Sequence, residues 1–348
     1  MDATTVAALN AAAEFGVNVT GISRAPGGRT NLNIVIKSGD AQYFLRCYTL
    51  PQDTGWCRRL RSRESILYEH QVTAFAASRG IPCVAPLRSP RGETVVEVDG
   101  HFYSLFPFIE SGSLPADDAR TRLAAGFLGG FHNVMREFPV RTQRPQRGFL
   151  PLMADWFHLS ETDSGRVAEI VDWARRLKPR TDTQKAVARN ICYVEEALRV
   201  LREDFPFSAY DEFPVVVNHG DFSRGNIGWR DGKIVALFDC DTCSLDLRMA
   251  DIAGFLWRFI WEDNSVFDME RIRPVVEAYR SENEIAGREL SLCPYLLMAR
   301  FSYTVLQHLG AIRIRPEANL MVSIIVRAEP IKWALSLRAR ISSEFAKL

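Results

Sequence analysis

The chain has 348 residues, 47% hydrophobic and 24% charged, which is typical of soluble globular proteins and excludes a fibrous or extensively disordered chain. At this length we expect two or three folded units with a substantial core. The 43 Lys and Arg residues nearly balance the 42 Asp and Glu residues, so bulk charge predicts neither a nucleic-acid partner nor an anionic membrane.

The distribution of cysteines and apolar residues predicts a cytoplasmic protein. Seven cysteines are scattered along the chain, and their odd number excludes a fully paired disulfide framework. The N-terminal residues lack the basic start and apolar run of a signal peptide, and their alanine spacing predicts a short helix. The most apolar stretch, Ala250 to Trp261, is interrupted by Arg258 and is shorter than the roughly 20 residues that span a bilayer.

The first third of the chain is strand-like, with one helix. Four runs are rich in β-branched and aromatic residues: Leu32 to Ile36, Tyr43 to Tyr48, Thr94 to Val98 and Phe102 to Phe106. Turn residues between the members of each pair predict two hairpins. Between the hairpins, Ser65 to Ser78 has helical spacing and is followed by Gly80 and Pro82 as a stop. We therefore predict a small antiparallel sheet with one helix.

Beyond Pro107 the pattern becomes helical. The stretch from Ala119 to Met135 predicts a helix with Leu123, Phe127, Leu128 and Phe131 on its buried face. A second core helix is indicated by Val187, Ile191, Val194, Leu198 and Leu201. The polar stretch from Arg141 to Gly148 predicts an exposed connection. The change of pattern divides the chain into residues 1–106 and 107–348.

A hairpin in the second part brings polar residues together. An apolar strand from Pro214 to Val217 runs into His219-Gly220-Asp221, and Asp231-Gly232 is a strong signal for a two-residue hairpin turn. With that turn, Arg230 faces Lys233, Trp229 faces Ile234 and Asn226 faces Leu237. Asp239 then emerges beside Asn226, at the open end of the hairpin.

This arrangement suits phosphoryl transfer. Magnesium prefers hard oxygen ligands, and a separate carboxylate must orient the acceptor hydroxyl. We therefore assign Asn226 and Asp239 as Mg²⁺ ligands and Asp221 as the catalytic residue that accepts the hydroxyl proton.

The same residues also support a family resemblance. His219-Gly220-Asp221 and Asn226, then Phe238-Asp239-Cys240-Asp241 and Asp251-Ile252-Ala253, closely resemble the signature of the aminoglycoside phosphotransferase, choline kinase and type II homoserine kinase superfamily. The resemblance extends to the helix GFLGGFH from Gly126 to His132 and to Pro26 to Asn33, which looks like a phosphate-covering loop. It implies a two-lobed, protein-kinase-like α+β fold that holds ATP and Mg²⁺ between a small antiparallel-sheet lobe and a larger helical lobe.

The resemblance also implies a set of nucleotide-binding residues. In the loop these are Gly27, Gly28, Asn31 and Asn33. Arg46 on the third strand would bind the phosphates with Glu69 as its helix partner, and the chain near Phe106 and Phe108 would meet the adenine. Two departures stand out: Arg46 occupies a position where many of these enzymes have Lys, and Ser244 to Leu247 replace the familiar Gly-Asp-Pro.

Several residues keep alternative interpretations. Arg46 and Glu69 could form an ordinary surface ion pair. His219 is interpreted as a buried residue that fixes the loop, and Asp251 as a structural brace. Asp241 could approach a second metal or only bond the loop. The remaining open cases are a zinc or redox role for Cys240 and Cys243, which no second pair or nearby His supports, a role for Asp246, and an acceptor role for Glu262, Asp263, Glu282 and Glu284.

The acceptor hydroxyl is also open. The first hypothesis is a small molecule of the amino alcohol, sugar or antibiotic type. The second is a Ser or Thr in a peptide during natural-product maturation, which an open groove beside Asp221 would favour. The third is a non-catalytic nucleotide-binding pseudokinase, which Arg46 favours and the retained Asp221, Asn226 and Asp239 oppose. An acidic cavity would indicate a cationic acceptor, and a basic cavity an acceptor with a carboxylate or phosphate.

Overall fold

A computed structural model describes residues 3–25, 31–48, 62–139, 163–206, 208–262, 266–314, 316–317 and 319–348. Its strands are β1 Gly21–Arg24, β2 Leu32–Ser38, β3 Ala41–Tyr48, β4 Val96–Val98, β5 His101–Pro107, β6 Gly112–Ser113, β7 Val215–Asn218, β8 Ile227–Arg230, β9 Lys233–Leu237 and β10 Ser244–Leu247. Its α-helices are α1 Ala3–Glu14, α2 Arg63–Ser78, α3 Asp118–Met135, α4 Asp163–Arg175, α5 Asp182–Asp204, α6 Ala209–Glu212, α7 Met249–Leu256, α8 Met269–Arg280, α9 Gly287–Leu290, α10 Cys293–Ile314 and α11 Met321–Ala346. The π-helical turn Trp257–Trp261 directly follows α7.

The N-terminal part is an antiparallel five-stranded sheet in the order β1-β2-β3-β5-β4. The two predicted hairpins are confirmed as β2–β3 and β4–β5. Helix α1 packs small residues such as Ala8 and Ala11 against Ile36 and Leu45 in a core separate from the rest of the molecule. Because alanine side chains are short, the helix lies close to the sheet.

Helix α2 carries buried polar groups into the region behind the sheet. It begins after Ser62, whose hydroxyl accepts a hydrogen bond from the backbone N–H of Ser65 at 3.2 Å, and it ends before Gly80, which has a φ of 87°. Glu69 and His70, in the middle of the helix, are both buried. The helix therefore presents a carboxylate to the face of the sheet that contains Arg46.

The predicted helix over Ala119 to Met135 forms as α3, but its buried face differs from the prediction. Leu123 is 46% exposed, whereas Leu128 and Phe131 are fully buried. The core face runs through Ala124 and Ala125 instead. Small residues are required on this face because α8 lies very close: a Cβ on Gly129 would stand 2.7 Å from the carbonyl oxygen of Tyr279.

The predicted Asp231-Gly232 hairpin forms as β8–β9, with Arg230 opposite Lys233 and Trp229 opposite Ile234. Asp231 and Gly232 both have positive φ, 52° and 76°, as a type I′ turn requires. The prediction that Asn226 faces Leu237 is wrong, because a bulge between Gly228 and Trp229 shifts the register and places Ile227 opposite Leu237. The backbone N–H of Phe238 instead donates to the carbonyl of Asn226 at 2.9 Å.

Other expectations are tested only in part. The helix predicted from Val187 to Leu201 is α5, and all five of its named apolar residues are buried. Six cysteines in the described ranges carry free thiols. Among the helices described, none is long and apolar enough to cross a membrane. Gly27, Gly28, Asp263 and the connection from Arg141 to Gly148 lie outside the described residues.

Candidate active site

The buried carboxylate of Asp251 fixes the backbone of the loop after β7. Asp251 in α7 accepts hydrogen bonds from the backbone N–H groups of His219, at 2.6 Å, and Gly220, at 2.9 Å. His132 in α3 lies 3.3 Å from the same carboxylate through its Nε2. Burial by itself would raise the pKa of Asp251, but these hydrogen bonds and nearby positive charges outweigh it and lower the pKa. Asp251 therefore stays ionised and fixes the loop backbone.

His219 fixes the same loop from its other side. Its Nε2 donates to the carbonyl of Phe238 at 2.9 Å, and its Nδ1 accepts from the backbone N–H of Asp221 at 3.2 Å. His219 thereby joins the Asp221 loop to the chain just before Asp239.

Gly220 is required between these two residues. It has a φ of +82°, and a Cβ there would lie 2.4 Å from the carbonyl oxygen of Thr242. The Thr242 hydroxyl also donates to the carbonyl of His219 at 3.2 Å. Only glycine lets the Asp221 loop and the Asp239–Thr242 segment come this close.

The structure brings Asp221, Asn226 and Asp239 together. The Nδ2 of Asn226 donates to the backbone carbonyl of Asp221 at 2.8 Å and to its Oδ2 at 3.3 Å. The backbone hydrogen bond from Phe238 to Asn226 brings Asp239, the residue after Phe238, to the same place. Asp239 adopts a left-handed backbone with a φ of 61°, which is uncommon for a residue other than glycine, and its side chain is 38% exposed.

Two arginines that the sequence interpretation missed bind the Asp221 carboxylate. Arg258 lies 2.5 Å and Arg300 lies 3.3 Å from Oδ1. Burial would raise the pKa of Asp221, but the positive charges of Arg258 and Arg300 outweigh it and lower the pKa. Both carboxylate oxygens therefore have partners, because Asn226 contacts Oδ2.

Both arginines leave a trace in the sequence. Arg258 interrupts the apolar stretch after α7, and Arg300 lies in the largely buried helix α10. Gly254 makes room for the second arginine, since a Cβ there would lie 2.9 Å from the Arg300 guanidinium. Burial and the adjacent charge of Arg258 lower the pKa of Arg300 to about 10, so the guanidinium remains protonated at neutral pH.

Arg46 on β3 links the sheet to the Asp239 segment. It lies 3.4 Å from Glu69 and 3.2 Å from Asp239, and its side chain is only 10% exposed. The interpretation of Arg46 and Glu69 as a surface ion pair is therefore wrong. Burial alone would lower the pKa of Arg46, but the carboxylates of Asp239 and Glu69 raise it. The Phe106 ring packs beneath the guanidinium at 5.8 Å.

Buried polar atoms without partners lie on the same two strands. They are Oδ1 of Asn31, Oδ1 of Asn33 and Nε of Arg46, and Asn33 is directly opposite Arg46 in the β2–β3 register. Because an unsatisfied buried polar atom is unfavourable, these atoms favour a polar ligand at this place. The Nδ2 of Asn31 also donates to Asp241 at 3.4 Å, which gives Asp241 a loop contact. Phe108, just after β5, is 39% exposed.

The donor set fits a hard divalent cation. The side-chain hydrogen bonds of Asn226 described above use Nδ2, which leaves Oδ1 for a metal, and Asp239 supplies a partly exposed carboxylate. Oxygen donors of this kind suit Mg²⁺. Across the described residues, no group of three or more His, Cys, Asp and Glu side chains is placed to hold a metal ion.

Asp246 is a structural residue. It is buried and accepts hydrogen bonds from the Tyr210 hydroxyl and from the backbone N–H of Leu247, both at 2.8 Å. Its contacts hold β10 against α6 and lie within the core.

A cavity of about 650 Å³ is lined in part by Arg258. Its charged lining residues in the described ranges are Arg224, Arg258, Glu262 and Arg327. Of the acidic residues considered for an acceptor wall, Glu262 lines it, whereas Glu282 and Glu284 are not among the residues that do. The cavity is therefore more basic than acidic in the part of the chain that the structure describes.

The sheet, the helical part and the site between them correspond to a two-lobed, protein-kinase-like α+β fold. The chain belongs to the phosphotransferase enzyme family (APH), whose model matches residues 21–295.

Sequence relatives are kinases of bacterial origin. The chain is 26% identical over 247 residues to the serine/threonine protein kinase RdoA of Salmonella typhimurium, which covers 70% of this chain and 65% of that protein. It is 24% identical over 241 residues to stress response kinase A of Escherichia coli K12, covering 69% and 65%. The matches thus span slightly less than two thirds of the length of these relatives.

Solved structures with the same fold include several small-molecule kinases. A microcompartment-associated aminopropanol kinase superposes with a TM-score of 0.69 at 17% identity and covers 99% of both chains. The amicoumacin kinase in complex with AMP-PNP and Ca²⁺ superposes with a TM-score of 0.66 at 16% identity, covering 99% and 94%. Choline kinase LicA of Streptococcus pneumoniae gives 0.59 at 13% identity, covering 96% and 99%. These likenesses confirm the predicted two-lobed α+β fold.

Proposed function

We propose that this protein transfers the γ-phosphoryl group of MgATP to a hydroxyl of a small molecule. The observation that carries the proposal is the convergence of Asp221, Asn226 and Asp239 next to Arg46. A carboxylate beside a pair of oxygen ligands and a buried cation is what phosphoryl transfer requires. The nucleotide-bound relatives of the same fold support ATP as the donor.

Each residue has a distinct role in this proposal. Asp221 accepts a hydrogen bond from the acceptor hydroxyl, holds its oxygen in line with the phosphorus, and takes the proton as the new P–O bond forms. Arg46 donates to phosphate oxygens, and Glu69 and Phe106 hold its guanidinium in place. Asn226 and Asp239 would hold Mg²⁺, which when bound neutralises charge on the transferring group.

The nucleotide would lie along the sheet. Asn31 and Asn33, with their buried free oxygens, would border the phosphates together with Gly27 and Gly28. The backbone beside Phe106 and Phe108 would meet the adenine, because β5 ends there at the junction with the helical part. The division into lobes of residues 1–106 and 107–348 belongs to the same proposal.

A second candidate acceptor is the hydroxyl of Ser or Thr in a protein or peptide. The sequence relatives named as serine/threonine protein and stress response kinases favour it. The cavity of about 650 Å³ favours the small-molecule acceptor, because small-molecule sites fall in the range of roughly 300–1,000 Å³.

The test measures ATP consumption and phosphoryl transfer with a panel of amino alcohols, sugars, hydroxy acids and Ser- or Thr-containing peptides. We expect transfer to at least one small hydroxyl compound. Asp221→Asn should then lower kcat by about a thousandfold and change nucleotide affinity by only a few fold. Unchanged turnover in Asp221→Asn would contradict the proposed role, and nucleotide binding without transfer to any compound would favour a non-catalytic binding protein.

A further inference from the structure

Arginine side chains occupy the Asp221 carboxylate that an acceptor hydroxyl would have to contact. Oδ1 of Asp221 is bound by Arg258 at 2.5 Å and by Arg300 at 3.3 Å, and Oδ2 contacts Asn226. An acceptor hydroxyl that is to donate to this carboxylate must therefore replace one of these partners. Arg258 is the most suitable one to move, because its side chain is 17% exposed, compared with 8% for Arg300.

Arg258 also lines the adjacent cavity, so a ligand there can bind its guanidinium. Arg327, on α11, lines the same cavity and is half-buried. The positive charges of Arg258 and Arg327 both contribute, after burial, to the lowered pKa of Arg300, so the three like charges interact unfavourably. An anion bound beside these arginines would reduce the repulsion among their positive charges.

Arg224 adds a third arginine to the cavity wall and holds Arg258 in position. Its guanidinium donates to the backbone carbonyls of Arg258 and Phe259 at 3.0 and 2.9 Å and lies 4.5 Å from the centre of the Phe259 ring. The π-helical turn that contains Arg258 is thus fixed at the cavity edge. Among the described lining residues, only Glu262, which is exposed, carries negative charge.

The rest of the wall includes apolar side chains. Leu320, Val322 and Val326 line the cavity from the start of α11, and Val322 is 64% exposed. An exposed apolar side chain beside arginines suits a ligand that has a hydrocarbon portion next to its charged group.

We propose that the acceptor is a small hydroxyl compound with an apolar portion and a carboxylate or phosphate group, and that this anion binds Arg258 and Arg327. The inference rests on the proposed phosphotransferase function. In binding the anion, Arg258 leaves Oδ1 of Asp221, and the acceptor hydroxyl takes its place. Cationic acceptors such as amino alcohols lack the group that draws Arg258 away and meet a positively charged wall.

The test uses three probes of one shape: para-hydroxymethylbenzoate, the corresponding benzamide and the corresponding benzylamine. Their dissociation constants are measured calorimetrically on the full chain with MgADP present, so that the result does not depend on transfer. We expect the benzoate to bind at least about tenfold more tightly than the benzamide, as for one charge-assisted hydrogen-bonded pair, and the benzylamine to bind most weakly. The phosphonate analogue of the benzoate distinguishes a phosphate from a carboxylate preference.

Arg327→Gln should lower the preference for benzoate over benzamide, measured as the ratio of their dissociation constants, by about tenfold. Arg340→Gln is the matched control, because Arg340 lies on the same helix and contacts Phe267 instead of the cavity. Equal binding of the three probes, tighter binding of the benzylamine, no detectable benzoate binding, or an unchanged preference in Arg327→Gln would overturn the inference.

Failure of the proposed phosphotransferase function and failure of the anionic-acceptor inference would give different results. Transfer of phosphate to the benzamide or benzylamine with equal efficiency would preserve the phosphotransferase function and overturn the anionic acceptor. Selective benzoate binding without transfer from MgATP to any acceptor would preserve the anion site and contradict the phosphotransferase function.

Discussion

At the scale of single residues, the site depends on close backbone approaches that allow no side chain. Gly220 is the clearest case, because it combines a φ of +82° with a Cβ position 2.4 Å from the carbonyl oxygen of Thr242. Gly232 has a similar φ of +76°, but a Cβ there meets nothing within 4 Å. Substitution of Gly232 would therefore introduce backbone strain alone, whereas substitution of Gly220 would introduce both backbone strain and steric overlap.

We predict that Gly220→Ala destabilises the protein more than Gly232→Ala does. The Gly232→Ala change should lower the free energy of unfolding by about 1 kcal/mol, the cost of a left-handed alanine. In Gly220→Ala the loop must also move away from Thr242, which displaces Asp221 and should lower kcat by about a hundredfold. Denaturant unfolding and turnover of both variants give the comparison, and equal effects would show that the approach to Thr242 is unimportant.

The surroundings of Asp221, the proposed catalytic residue, also show what could not be predicted from single residues. Asp221, Asn226 and Asp239 lie within 18 residues of one another in the sequence, and a single hairpin brings them together. Arg300 is 79 residues away from Asp221 on another helix. Its position depends on the packing of α10 against α7, for which a single sequence gives no spacing rule.

At the scale of elements, the hydrophobic pattern predicted which segments form, and less well which residues they bury. The two N-terminal hairpins and helices α2, α3 and α5 were predicted from periodicity. The exposure of Leu123 was not, because the face of α3 is decided by the close approach of α8 at Gly129. The bulge in β8 was also missed, since local sequence specifies a turn more strongly than a register shift.

A buried ion pair joins elements of the helical part. Arg248, just before α7, contacts both oxygens of Glu289 in α9 at 2.7 Å and the side-chain oxygen of Asn283 at the same distance. The side chains of Arg248 and Glu289 are 4% and 1% exposed. Removing one member leaves the other charge buried and unpaired.

We predict that Arg248→Met lowers the free energy of unfolding by about 3–5 kcal/mol. Arg199→Met is the control, because Arg199 contacts Glu196 and Glu203 on the surface of α5 with its side chain 47% exposed. That change should alter stability by less than about 1 kcal/mol. Chemical denaturation measures both variants, and a similar small effect in each would show that the buried pair contributes no more than a surface pair.

At the scale of the whole molecule, Arg46 connects the sheet with the helical part. It contacts Glu69 on one side and Asp239 on the other. Arg46, the proposed phosphate-binding cation, and Asp239, a proposed metal ligand, therefore meet where the two parts join. A bound triphosphate with its metal would lie between these groups. Nucleotide binding and Mg²⁺ binding should therefore depend on each other.

The most direct test is a titration of ATP with and without Mg²⁺ in the wild type and in Asp239→Ala. In the wild type, Mg²⁺ should strengthen ATP binding, because in our proposal Asn226 and Asp239 would hold the metal that accompanies the triphosphate. In Asp239→Ala, most of this enhancement should disappear. Retention of the full Mg²⁺ enhancement in that variant would contradict the assignment of this group of residues as the centre of phosphoryl transfer.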